Sequence, residues 1–126
     1  MLKKIKSNLV TMKFLITYIL LLFATITHAQ NINGIPITEV QSPYIEITID
    51  ECIDWRNINI LVDYGQQRKR ISRRELRLLN DSGKPYDFYS VANMLNFFDE
   101  YGYEFIQYYH PDFDGGPEHR YVLKRK

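Results

Sequence analysis

The stretch Ser90-Val-Ala-Asn-Met-Leu-Asn-Phe-Phe-Asp-Glu-Tyr-Gly102, continued by Tyr103-Glu-Phe-Ile-Gln-Tyr-Tyr-His110, sets the architecture of the chain. Val91, Met94, Leu95 and Phe98 recur at i, i+3, i+4 and i+7, which is one face of an α-helix. Ser90 stands at the N-cap, where its hydroxyl can accept from an unpaired first-turn N–H. Gly102 stands just past the helix, where glycine enters the left-handed conformation without a Cβ clash. The next segment alternates: Tyr103, Phe105, Gln107 and Tyr109 on one side, Glu104, Ile106 and Tyr108 on the other. A last strand, Arg120-Tyr-Val-Leu-Lys-Arg-Lys126, sets Tyr121 and Leu123 against Arg120, Val122 and Lys124.

Upstream, Tyr44 to Asp50 alternates, with Ile45, Ile47 and Ile49 on one face and Tyr44, Glu46 and Thr48 on the other. That pattern predicts a half-buried antiparallel strand. Asp50 to Asn57 reads as a polar turn carrying Trp55. Ile58, Ile60, Val62 and Tyr64 alternate again up to Gly65, and Leu76 with Leu78 suggests a short third strand. Asn80-Asp-Ser-Gly-Lys-Pro85 reads as a turn in which Gly83 is able to take a positive φ. The expected fold is α+β: a two-layer domain, an antiparallel sheet in the order β-β-β-α-β-β, with one helix packed on one face. Residues 44–126 form this single domain. Residues 30–43, with Asn, Gly, two prolines and Ser, read as an extended linker or arm.

Several of these segments carry a resemblance. Leu95-Asn96, Gly102-Tyr103-Glu104-Phe105-Ile106 and Tyr121-Val-Leu-Lys-Arg125 resemble a short domain of unknown function. Its pattern is a Leu-Asn helix, a Gly-Trp-Glu strand start and a terminal apolar strand ending in Lys/Arg. Tyr103 stands where that pattern has Trp. Tyr44-Ile-Glu-Ile, Val62-Asp-Tyr-Gly65 and Asp81-Ser-Gly-Lys84 are similar to uncharacterised small exported proteins of Bacteroidota. The resemblance implies a fold over residues 43–126 and no activity.

The first 29 residues read as an address. Lys3, Lys4, Lys6 and Lys13 are followed by the eleven-residue apolar run Phe14–Ala24, then by Thr27-His28-Ala29 with small residues at −3 and −1. This is the pattern of a secretory signal peptide, with translation starting at Met1 or Met12. The run is shorter than the roughly 20 apolar residues that span a bilayer. Residues 1–29 hold four of the 16 basic residues and none of the 15 acidic ones, so the remaining chain carries 12 against 15, a net of −3. That balance argues against nucleic-acid binding, which needs an electropositive surface. The single Cys52 allows no internal disulfide. It reads as a small apolar residue at a strand end, or as a thiol pairing between chains.

Four features could carry chemistry. Arg68, Lys69, Arg70, Arg73, Arg74 and Arg77 are six cations in ten positions. They suit either an anionic ligand or a solvated, charge-protected strand edge. His110, Asp112, Asp114 and His119 gather potential metal ligands, but their spacing matches neither a calcium loop nor a helix-borne zinc pair. The segment reads as a polar hairpin turn, with no metal and no cofactor expected. Ten tyrosines, seven phenylalanines and Trp55 make up 14 % of the chain. Beyond the core, Tyr44 and Tyr108 are expected on the sheet face the helix leaves open, as an adhesive surface. No nucleophile elbow, metalloprotease, phosphate-loop or dinucleotide motif is present. A hydrolase built on Cys52 with His110 or His119 is the remaining catalytic reading.

The sequence therefore points to an exported, periplasmic or secreted, non-enzymatic binding module. Its expected partner is an envelope or extracellular protein. The alternative is a small-ligand or anion binder using residues 68–77.

Overall fold

The computed structural model describes residues 1–23, 30–53, 56–67 and 71–126. The cleavage site, Trp55 and Arg68-Lys69-Arg70 lie outside the described residues, as does the Cys52 side chain. Helix α1 covers Leu2–Phe23, and no described helix is long and apolar enough to cross a membrane.

The body is an α+β fold. Strands β1 (Asn31–Ile32) and β2 (Ile35–Pro36) open it. They are followed by β3 (Tyr44–Ile53), β4 (Asn57–Asp63), β5 (Leu78–Leu79), α2 (Val91–Glu100), β6 (Tyr103–Tyr109), β7 (Asp112–Phe113), β8 (Gly116–Pro117) and β9 (Arg120–Arg125). The main sheet is antiparallel in the order β4-β3-β9-β6. Helix α2 lies on one face, where Met94 and Phe98 are fully buried against Ile45, Ile47, Ile60, Val62, Tyr103 and Leu123.

The local signals of the helix act as expected. The Ser90 hydroxyl accepts from the Asn93 N–H at 3.1 Å. The Asn93 side chain answers by accepting from the Tyr89 N–H at 3.3 Å. Gly102 has φ +84°, a conformation that would strain any residue with a Cβ. Gly83 has φ +74° in the turn that the Asn80 side chain braces by accepting from Ser82 and Lys84.

Four expectations change. First, residues 30–43 are no free arm. Ile32, Ile37 and Val40 are buried in the main core, β1 pairs with both β2 and β5, and Ile37–Glu39 forms a 3-10 turn. Their apolar groups are too widely spaced to show a period, so only tertiary packing reveals them as core. Arg125 fastens this segment: its Nη2 donates to the Val40 carbonyl and, at 2.9 Å, to the Tyr103 hydroxyl, while its guanidinium stacks 4.8 Å over the Tyr103 ring.

Second, the short third strand is divided. Arg73–Leu76 is a 3-10 turn closed by a reciprocal Ser72–Glu75 capping box, and β5 pairs with β1 outside the main sheet. Third, β3 continues through the expected turn to Ile53, with a bulge at Asp50. Fourth, β6 does not alternate to its end. Phe105 pairs with Leu123 but Gln107 pairs with Val122, so Ile106 is an extra residue. A bulge reverses the parity of everything beyond it. Tyr108 therefore lies opposite Tyr121, on the helix-side face. Tyr44 lies opposite Lys124, on the other face. The two tyrosines do not share an open face.

Candidate functional site

The sheet face turned away from α2 carries a connected set of charges. Register places Glu46, Thr48, Leu61, Asp63 and Arg120 on it. The bulge aims the Asp50 carboxylate at two guanidiniums: Arg73 Nε donates to it at 2.8 Å, and Arg77 approaches through Nε at 2.7 Å and Nη2 at 2.6 Å. The Asp50 side chain is only 5 % exposed, so these bonds replace its lost hydration. On the far side, Arg120 donates to Glu46 and Glu118, each at 2.8 Å, and stacks 5.2 Å from the Phe113 ring. The Tyr109 hydroxyl donates to Glu46. That bond raises the Tyr109 pKa, because it would be lost on ionisation.

Arg73 and Glu118 face each other at 3.6 Å. They stand between two clefts that both residues line. One, of about 320 Å³, lies over Thr48 and Leu61 with Ile71, Leu76 and Arg120. The other, of about 310 Å³, lies beneath the β7–β8 hairpin with Phe113, Pro117 and His119.

Glu118 sits below the ordinary carboxylate value of 4.5. Its hydrogen bond to Arg120 is the main cause, with Arg73 adding to it and burial opposing it. A depressed folded-state pKa contributes stability that is present above 4.5 and lost as pH falls through the lower, folded value. Melting temperature is therefore expected to hold down to the ordinary carboxylate range and then fall. Glu118→Gln should remove part of that acid slope. An identical slope in the variant would reject the assignment.

The second candidate surface is β6, which is an edge strand. Lys126 N–H donates to Gly102 O and Arg125 N–H to Pro43 O. Alternation along the ladder then directs Glu104, Gln107 and Tyr109 towards β9, and turns the backbone groups of Phe105 and Tyr108 outward. The same residues expose large apolar side chains: Phe105 is 47 % exposed, Ile106 49 % and Tyr108 40 %. Tyr108 packs 5.0 Å from Tyr121 and its hydroxyl meets His119 Nδ1 at 2.7 Å.

The residues expected from sequence are thus distributed unevenly. Among the six cations, Arg73 and Arg77 are bound to Asp50, Arg74 is exposed, and the first three lie outside the described residues. Asp112 and Asp114 belong to the β7–β8 hairpin, His110 precedes it, and His119 meets Tyr108. Among the described residues, no three His, Cys, Asp or Glu side chains are grouped to hold a metal. Sequence reasoning missed Asp50, Glu118 and Arg120. The available signal was an aspartate interrupting a run of alternating isoleucines. No family model, curated protein or solved structure matches this chain.

Proposed function

We propose that the protein is an exported binding module that takes hold of an extended segment of an envelope or extracellular protein along β6. The observation that carries this reading is the coincidence at Phe105 and Tyr108 of outward backbone groups with exposed aromatic side chains. An incoming strand would continue the ladder by main-chain hydrogen bonds and rest its side chains on those rings. Edge strands with exposed apolar residues are a hazard for a free protein, and the Ile106 bulge and the Glu104 charge limit indiscriminate pairing here. Export is supported by the lysine-rich start, apolar run and small-residue site of residues 1–29. N-terminal sequencing of exported protein should begin at Gln30; an intact start at residue 1 or 12 would refute cleavage.

The test of binding is capture of partners from the native envelope fraction at low and physiological salt. A partner held through β6 should survive the higher salt, because aromatic and main-chain contacts are weakly screened. Phe105→Glu with Tyr108→Glu should abolish capture while leaving the melting temperature within a few degrees, since both side chains are substantially exposed. Capture unchanged by the substitutions, or lost on adding salt, would overturn the reading.

A further inference from the structure

We propose that the two clefts flanking Arg73 form one site for an organic acid whose carboxylate-bearing carbon also carries an apolar group, as at the carboxyl end of a peptide. This goes beyond the β6 reading and is independent of it, because Thr48, Leu61 and Arg120 lie on the opposite face of the sheet from Phe105 and Tyr108.

The argument starts from how each guanidinium is occupied. Arg77 approaches Asp50 through both Nε and Nη2. Arg120 spends Nη1 on Glu46 and both Nε and Nη2 on Glu118. Arg73 differs. Among the described residues, its Nε alone lies at hydrogen-bond length from a carboxylate, that of Asp50. Its Nη1 forms an ion pair with Glu118 at 3.6 Å, longer than the usual charge-assisted hydrogen bond. Its side chain is 56 % exposed and lines both clefts. Arg73 therefore offers Nη2 to a ligand, and Nη1 in competition with Glu118, while Asp50 holds the near side in place. A carboxylate matches the guanidinium fork in geometry and charge.

The surroundings select among acids. On one side of Arg73 the cleft is floored by Leu61, Ile71 and Leu76; on the other it meets Phe113 and Pro117. Each cleft is at the small end of the range for ligand sites, and suits one residue-sized apolar group. A carbon bearing a carboxylate, an apolar side chain and the preceding peptide residue can set the carboxylate on Arg73, the side chain in one cleft and the preceding residue in the other. Thr48, Asp63, Glu118 and Arg120 complete the lining of the first cleft, so its polar groups carry both signs of charge. The apolar floors accordingly favour a carboxylate that carries an apolar group over phosphate, which has none to bury.

Calorimetry on the full chain tests this with acetyl-Ala-Leu as the free acid, the same dipeptide as its amide, acetyl-leucine, and inorganic phosphate. The free acid is expected to bind, with the amide about tenfold weaker or more. Phosphate should bind more weakly than the acid. Arg73→Lys keeps the positive charge beside Asp50 but loses the fork, and should weaken the acid alone. Glu118→Gln removes the competing carboxylate and should tighten the acid. Equal affinity for acid and amide, or acid binding indifferent to Arg73→Lys in a variant that melts normally, overturns the proposal. The acid–amide comparison needs no variant and decides the matter if Arg73→Lys fails to fold. Acetyl-leucine binding as tightly as the dipeptide would assign the site to a small acid. Tighter dipeptide binding would assign it to a chain end. Either result supports the site.

Discussion

A chain that begins at Pro43 is expected to lose its cooperative unfolding transition. Its sequence retains every strand of the main sheet and the whole of α2. What it lacks is Ile32, Ile37 and Val40, all within 3 % of complete burial. Removing three buried aliphatic side chains costs on the order of 6 kcal/mol, counting lost transfer energy and the cavity they leave. A domain of this size has about 5–15 kcal/mol in total. The truncation also takes away the Val40 carbonyl that receives Arg125, leaving a half-buried guanidinium short of an acceptor. It leaves β5 without β1, its strand partner. Thermal melting followed by circular dichroism at two wavelengths would measure the loss. A truncated chain that melts as sharply, and within a few degrees, would show that residues 30–42 are a dispensable arm after all.

The second large effect is expected at Asp50. Asp50→Ala removes the carboxylate that holds both Arg73 and Arg77, and with it the tie between β3 and the 3-10 turn Arg73–Leu76. Breaking a buried ion pair from one side costs about 3–5 kcal/mol. Here the two arginines are 56 % and 25 % exposed and can recover water, which places the expected loss nearer about 2 kcal/mol. For a domain of this length that corresponds to a fall in melting temperature of roughly 8–16 °C. The cleft over Leu61 should open at the same time, because Leu76 is carried by the released turn. Reversible melting of the variant checks the stability. Faster amide exchange confined to residues 71–77 checks the location. A variant melting within about 2 °C of the parent would show that the Arg73 and Arg77 contacts contribute little.

Much of the fold is legible in the order of the residues. The period of Val91, Met94, Leu95 and Phe98 is local, as are the Ser90 cap and the Gly102 stop, because a helix closes its hydrogen bonds within four residues. Strand alternation at Ile45, Ile47 and Ile49 is equally local, since it follows from the pleat. The site is far less legible. The run of cations at 68–77 is visible, but not that Asp50, 23 residues before Arg73, neutralises two of them. Nor does the sequence announce that Glu118 and Arg120 arrive from the other end of the domain. Ion pairs between distant segments leave no periodic trace.

The helix, its two ends, the alternating strands and the export-type leader pattern all follow from residue order, since they depend on contacts within a few residues or on composition. Three other features follow only from how distant segments pack. The face that each aromatic side chain occupies beyond Ile106 is one, because a single inserted residue in β6 reverses the alternation. The place of residues 30–43 in the core is another, because burial of Ile32, Ile37 and Val40 depends on what packs over them rather than on their spacing. The third is the ionic network in which Asp50 holds Arg73 and Arg77 while Glu118 pairs with Arg73, since that depends on where three chain segments meet.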